Sequence, residues 1–165
     1  MARLGRGFPA HVILASGIRK QGITATISGT AAGALETAIV TGGNTVIITL
    51  TSDTWVAAGA TFNAQRQNII DGMDSAEAEA GGWDATVKAL QGVAGVVRTS
   101  DTVVTITLDA QAGYDITATE TITVTVPATA LVLSPVAIVG APTFSIAPVS
   151  SGTHPGWISS KGGWW

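Results

Sequence analysis

Apolar and polar residues alternate with period two along most of this chain. Between Ile23 and Ser28 the run ITATIS alternates, and in NTVIITLTSDTWV the residues Val46, Ile48 and Leu50 share one face while Thr45, Thr49 and Thr51 share the other. The same pattern returns in DTVVTITLD, with Val104, Ile106 and Leu108 in phase, and in YDITATETITVTVP, with Ile122, Val124 and Val126 in phase. Strict alternation places one side of each segment in a core and leaves the threonine side half-solvated. LETAIVTGG before the first long strand, GVVRTS leading into DTVVTITLD and VAIVGAPTFSIAP near the end complete the expected strand set. Gly42-Gly43-Asn44 between two such runs predicts a hairpin or tight turn.

One region breaks the period. In TFNAQRQNIIDGMDSAEAEAGG, the residues Phe62, Arg66, Ile69, Ile70, Met73 and Ala80 fall at helical spacing, with Asp71, Asp74 and Glu77 on the opposite side. Thr61 or Asn63 is placed to cap the start and Gly81-Gly82 to end it, although Gly72 weakens the helix by about 1 kcal/mol relative to Ala. WDATVKAL predicts a short second helix, with Trp83, Val87 and Leu90 on one side. The expected architecture is mainly β: a β-sandwich of about seven strands with one helical insertion at about 61–90. It spans 23–147, between an extended N-terminal arm, 1–22, and a Trp-rich C-terminal tail, 148–165.

Composition adds a surface character to this outline. Of 165 residues, 46% are hydrophobic and only 12% charged, which suits a domain packed against neighbours. The net charge of −3 is uneven: Arg3, Arg6, Arg19 and Lys20 make up half of the basic residues, and no acid accompanies them in the first twenty positions. A basic extension thus precedes an acidic body, the reverse of the charge spread that specific nucleic-acid binding needs. No unbroken apolar stretch is long enough to cross a membrane as a helix, and the run Val12–Ala15 is too short for the core of a signal peptide. There is no cysteine, so disulfides and thiol chemistry are excluded.

The stretches GGNTVIITLTSDTWV, GWDATVKA, RTSDTVVTITL and AGYDITATETITVTVP, in that order, resemble an immunoglobulin-like domain found in virion-associated proteins of tailed bacteriophages. The resemblance covers roughly residues 23 to 147. It implies an immunoglobulin-like sandwich in a virion, with Tyr114 as a tyrosine corner bonded to upstream backbone. It implies no reaction. The particular expectation is a capsid decoration protein in multiple copies, assembled in the host cytoplasm onto the capsid surface through the major capsid protein or other virion proteins, with weak host-glycan contact. A tail or head-to-tail component of the same fold and a carbohydrate-binding or adhesion module are the alternatives.

Chemistry is sparse. His11 and His154 both lie in the extensions, away from any activated serine, and no Gly-Lys-Ser/Thr phosphate loop is present, so no catalytic residue or cofactor is expected. Asp71, Asp74 and Glu77 form a solvated acidic face before they form a metal site, and Asp109 and Asp115 suit a turn better than a calcium loop. Trp55 and Trp83, in patterned segments, are expected in the core or at its edge. The expected partner contacts are in the extensions: Arg3 and Arg6 pairing with acidic groups, Leu4, Phe8 and Pro9 filling apolar pockets, and Val12–Leu14 adding to a sheet edge. Trp157, Trp164 and Trp165 either dock on their own domain, anchor a neighbour or stack on a glycan.

Overall fold

A computed structural model describes residues 22–149 of the protein, Pro135 excepted. The described residues are mainly β, with eight strands in two four-stranded sheets and a few short helices. The strands are β1 (Thr24–Ser28), β2 (Ala34–Leu35), β3 (Thr45–Thr51), β4 (Met73–Ser75), β5 (Val96–Arg98), β6 (Val103–Thr107), β7 (Glu120–Val124) and β8 (Thr143–Ala147). One sheet has the order β1-β3-β6-β5, antiparallel throughout; the other has the order β2-β8-β7-β4, antiparallel except where β2 runs parallel to β8.

The alternation decides which faces meet. Val46, Ile48 and Leu50 of β3, with Val104 and Ile106 of β6, are buried, as are Ile122 and Val124 of β7 and Phe144 and Ile146 of β8. These residues belong to one apolar cluster fed by both sheets, and Leu108 and Val126 continue it just past their strands. Trp55 and Trp83 are fully buried in it, and the Trp83 ring meets Phe144 edge to face with centroids 5.4 Å apart.

Three local expectations are overturned. LETAIVTGG contains a six-residue helix, α1 (Glu36–Thr41), where a strand run was expected. A helix so short is stable only through packing, here the complete burial of Ile39. Gly42, at φ +77°, then turns the chain into β3, so of the hairpin or tight turn expected at the glycine pair the structure has a turn from helix to strand.

The insertion is not one helix. It breaks into α2 (Ala60–Asn63) and α3 (Arg66–Asp71), after which Gly72 releases the chain into β4. Phe62, Ile69, Ile70 and Met73 are buried as the helical period requires, but Met73 is buried from a strand and Ala80 is exposed. The expected second helix is a π-helical turn, Asp84–Lys88. Its wider turn keeps Trp83 and Val87 inside but carries Leu90 outward, to 67% exposure.

Gly72 is where helix and sheet touch. Its carbonyl accepts the Thr125 N–H at 2.7 Å, and a Cβ on it would lie 2.1 Å from the Thr125 carbonyl oxygen. In a free helix interior, glycine to alanine gains about 1 kcal/mol. Here the close approach reverses the sign: Gly72→Ala is expected to lose about 1–3 kcal/mol of unfolding free energy, measured by urea denaturation.

Candidate functional site

The most concentrated polar chemistry among the described residues surrounds Glu120, the first residue of β7, which is 0% exposed. Its Oε1 accepts the Ser75 hydroxyl at 2.6 Å and the Trp83 backbone N–H at 2.8 Å. Its Oε2 accepts the Tyr114 hydroxyl at 2.6 Å and shares the same Trp83 N–H at 3.0 Å. The donors come from β4, from the start of the π-helical turn and from the β6–β7 connection, so one side chain gathers three segments, two of them 37 and 45 residues away in sequence. Both oxygens are engaged and water is excluded. The arrangement is a closed polar lock.

The same lock covers the edge of its sheet. The Trp83 indole N–H donates to the Met73 carbonyl at 3.1 Å, the Asp84 carboxylate accepts the Ser75 N–H at 3.1 Å, and Lys88 forms an ion pair with Asp74. That hydrogen bond to Asp74, opposed by partial burial, holds the Lys88 ammonium above its usual pKa. Two of the outward backbone groups of edge strand β4, the Met73 carbonyl and the Ser75 N–H, are thereby satisfied by the turn that follows it.

Other acids act alike. Asp53 accepts the N–H groups of Thr54 and Leu133 at 2.7 and 2.8 Å. Glu77 accepts the Thr121 N–H at 2.7 Å, and Glu79 accepts those of Thr117 and Ala118. The Thr117 backbone bond leads the causes that lower the Glu79 pKa. Buried Gln91 bonds the Thr107 carbonyl and the Asp109 N–H, while the Asp109 carboxylate accepts the Gly92 N–H at 2.7 Å. Asp71, Asp74 and Glu77 therefore do not form one helical acidic face: helix α3 ends at Asp71, Asp74 lies in β4 and Glu77 beyond it. Asp109 reaches across to Gly92 instead of closing its own turn, and the Asp115 N–H bonds the Gly81 carbonyl. No group of three or more His, Asp or Glu placed to hold a metal occurs among the described residues.

Tyr114 is buried as a corner residue should be, but its hydroxyl bonds the Glu120 side chain, six residues downstream, and not upstream backbone. Sequence reading passed over Glu120 itself. Its signal was present: Glu120 is in phase with Ile122, Val124 and Val126, so the alternation that buries them buries the acid too.

The described residues line two small surface depressions. One, about 260 Å³, lies between α3 and the end of β7, lined by Asn68, Asp71, Gly72, Thr125 and Pro127. The second, about 290 Å³, is lined by Gly22, Thr24, Thr51 and Ser52. Both fall at or below the small end of ligand pockets. Arg3, Leu4, Arg6, Phe8, Pro9, Trp157, Trp164 and Trp165, and with them the partner contacts expected of them, lie outside the described residues. No helix among the described residues is long and apolar enough to cross a membrane. Comparison of the chain with protein-family models, with curated proteins and with solved structures found no match.

The lock makes two predictions. Tyr114→Phe removes a hydrogen bond to a buried carboxyl group and is expected to cost about 1.5–3 kcal/mol; Glu120→Ala strands three donors and is expected to cost more, both read from denaturant midpoints. Burial first, and the neighbouring Glu120 second, hold the Tyr114 hydroxyl well above the ordinary phenol pKa. A folded pKa above the unfolded one gives stabilisation that is complete below about pH 10 and declines as pH rises beyond it, because only the unfolded chain ionises there. Tyr114 is the single tyrosine, so tyrosinate absorbance reports it alone. That absorbance is expected to rise only together with unfolding; tyrosinate forming near pH 10 in the folded chain would contradict the lock.

Proposed function

We propose that the two sheets form an immunoglobulin-like β-sandwich and that the chain is a non-enzymatic structural protein of a tailed-bacteriophage virion, in particular a capsid decoration protein. The observation that carries the fold reading is strand order. An immunoglobulin sandwich places strands A, B, E and D in one sheet and C, F and G in the other. The sequence β1-β3-β6-β5 follows the first order and β4-β7-β8 the second, with every one of these pairs antiparallel. The short β2 adds to the outer side of β8, in parallel.

A fold does not specify a function by itself. The structural role is supported by how the chain uses its polar groups: the buried acids and amides of the described residues hold loops to strands. The virion setting rests on the resemblance of the quoted stretches, and the decoration role on a basic, apolar arm ahead of an acidic body. Many copies on one particle would compensate for weak individual contacts. The tail or head-to-tail alternative shares the fold and differs in location.

Immunogold labelling, with an antibody to residues 22–149, of particles whose genome encodes the chain tests this. Label distributed over the heads is the expected result. Label confined to tails would move the protein to the alternative, and particles free of label would overturn the virion assignment.

A further inference from the structure

Four strand edges bound the two sheets, and three are short or guarded. β4 is covered by Trp83, Asp84 and Lys88; β2 has two residues; β5 has three, and Arg98 at its end pairs with Asp101. The fourth, β1, has five residues and the sequence TATIS, with no charge, proline or glycine. It carries none of the devices that commonly protect an edge strand.

Its bonding directions follow from its neighbour. Leu50 donates its N–H to the Thr102 carbonyl and Leu108 to that of Asn44, so even-numbered backbone groups of β3 face β6 and odd-numbered ones face β1. The register pairs Thr51, Thr49 and Ile47 with Thr24, Thr26 and Ser28. The N–H and C=O groups of Ala25 and Ile27 therefore point to the outer edge, where no described residue meets them. Their side chains pack against the core, while those of Thr24 and Thr26 are exposed.

We infer that this edge receives residues Val12–Leu14 from a second copy of the chain, so that copies link by exchange of their arms. Val12, Ile13 and Leu14 are strong strand formers bounded by Pro9 and Gly17. In register, Val12 and Leu14 extend the apolar face of Ala25 and Ile27, and Ile13 falls on the threonine side. The arm holds half of the basic residues and no acid, which favours its approach to another copy's acidic body.

The neighbourhood of Ile23 directs the arm away from its own β1. Ile138 bridges Ile23 in parallel, Val139 donates its N–H to the Ile23 carbonyl at 2.9 Å, and a Cβ on Gly22 would lie 2.0 Å from the Val139 side chain. A hairpin formed with the chain's own β1 would have to run residues 16–21 through the lane that Ile138 and Val139 fill. The seven residues Ser16–Gly22, spanning up to about 24 Å when extended, instead reach a neighbour. This inference needs no virion and holds for the purified chain.

The absence of cysteine makes the test direct. Thr26→Cys and Ile13→Cys, made in separate full-length chains, are mixed and mildly oxidised. A disulfide-linked heterodimer is expected, forming much faster than with a control cysteine at exposed Ala58→Cys and abolished when Leu14→Pro is added to the Ile13→Cys chain. In the unmodified protein, exchange of the Ala25 and Ile27 amides is expected to be about tenfold slower than in full-length Leu14→Pro, with protection that falls on dilution. Cross-linking within one chain of the double-cysteine variant, or protection independent of concentration, would assign the edge to the chain's own arm and overturn the exchange. A heterodimer no faster than the control, with unprotected amides, would overturn pairing altogether.

Discussion

The described fold depends on the carboxyl group of Glu120. A polar side chain with no solvent exposure is tolerable only when its hydrogen bonds are made within the protein, and Glu120 makes them to Ser75, Trp83 and Tyr114 at once. Each donor belongs to a different segment, so the requirement to satisfy one group fixes β4, the π-helical turn and the β6–β7 connection against β7 together. Trp83 is the hinge of this arrangement. Its backbone N–H serves Glu120, its indole N–H serves Met73, and its ring packs on Phe144 of β8.

The same economy explains a body poor in charge. Two ion pairs are formed among the described residues, and exposed pairs contribute little to stability. Asp53, Glu77, Glu79, Asp84 and Asp109 instead accept backbone N–H groups, often far along the chain; Asp53 reaches Leu133. Hydrogen bonds with an ionised partner are the stronger kind, and backbone donors in loops have no ladder to satisfy them. Few acids thus order long connections without enlarging the core. The one long edge left without such treatment, β1, is where we place the exchanged arm.

Legibility followed the range of the interaction. The inward faces of β3, β6 and β7 were readable, because burial on one side of a sheet imposes period two and Val46, Ile48, Leu50, Val104, Ile106, Ile122 and Val124 obey it. The burial of Trp55 and Trp83 was equally readable. Helix α1 was not, since six residues carry too little periodicity to separate a helix from a short strand, and the packing of Ile39 decides it. Nor was the break at Gly72: Phe62, Ile69, Ile70 and Met73 satisfy a helical period, but the last of them does so from a strand. The candidate site was half legible. Tyr114 was singled out with the wrong partner, and Glu120 was overlooked although its phase marked it as buried.

What the amino-acid sequence determined by itself was a two-sided pattern: which residues face inward along each long strand, a chain without cysteine chemistry, and a basic leader ahead of an acidic body. These follow from local alternation and counting, and need no knowledge of what lies across the core. Only the tertiary structure decided that β1, β3, β6 and β5 share a sheet, that the insertion ends in a strand and a π-helical turn, and that Glu120 joins Tyr114 to Ser75. Those outcomes depend on groups brought together from different parts of the chain, as Trp83 and Glu120 are from 37 positions apart. A buried acceptor selects whichever donors the fold delivers to it, and no local period encodes that choice.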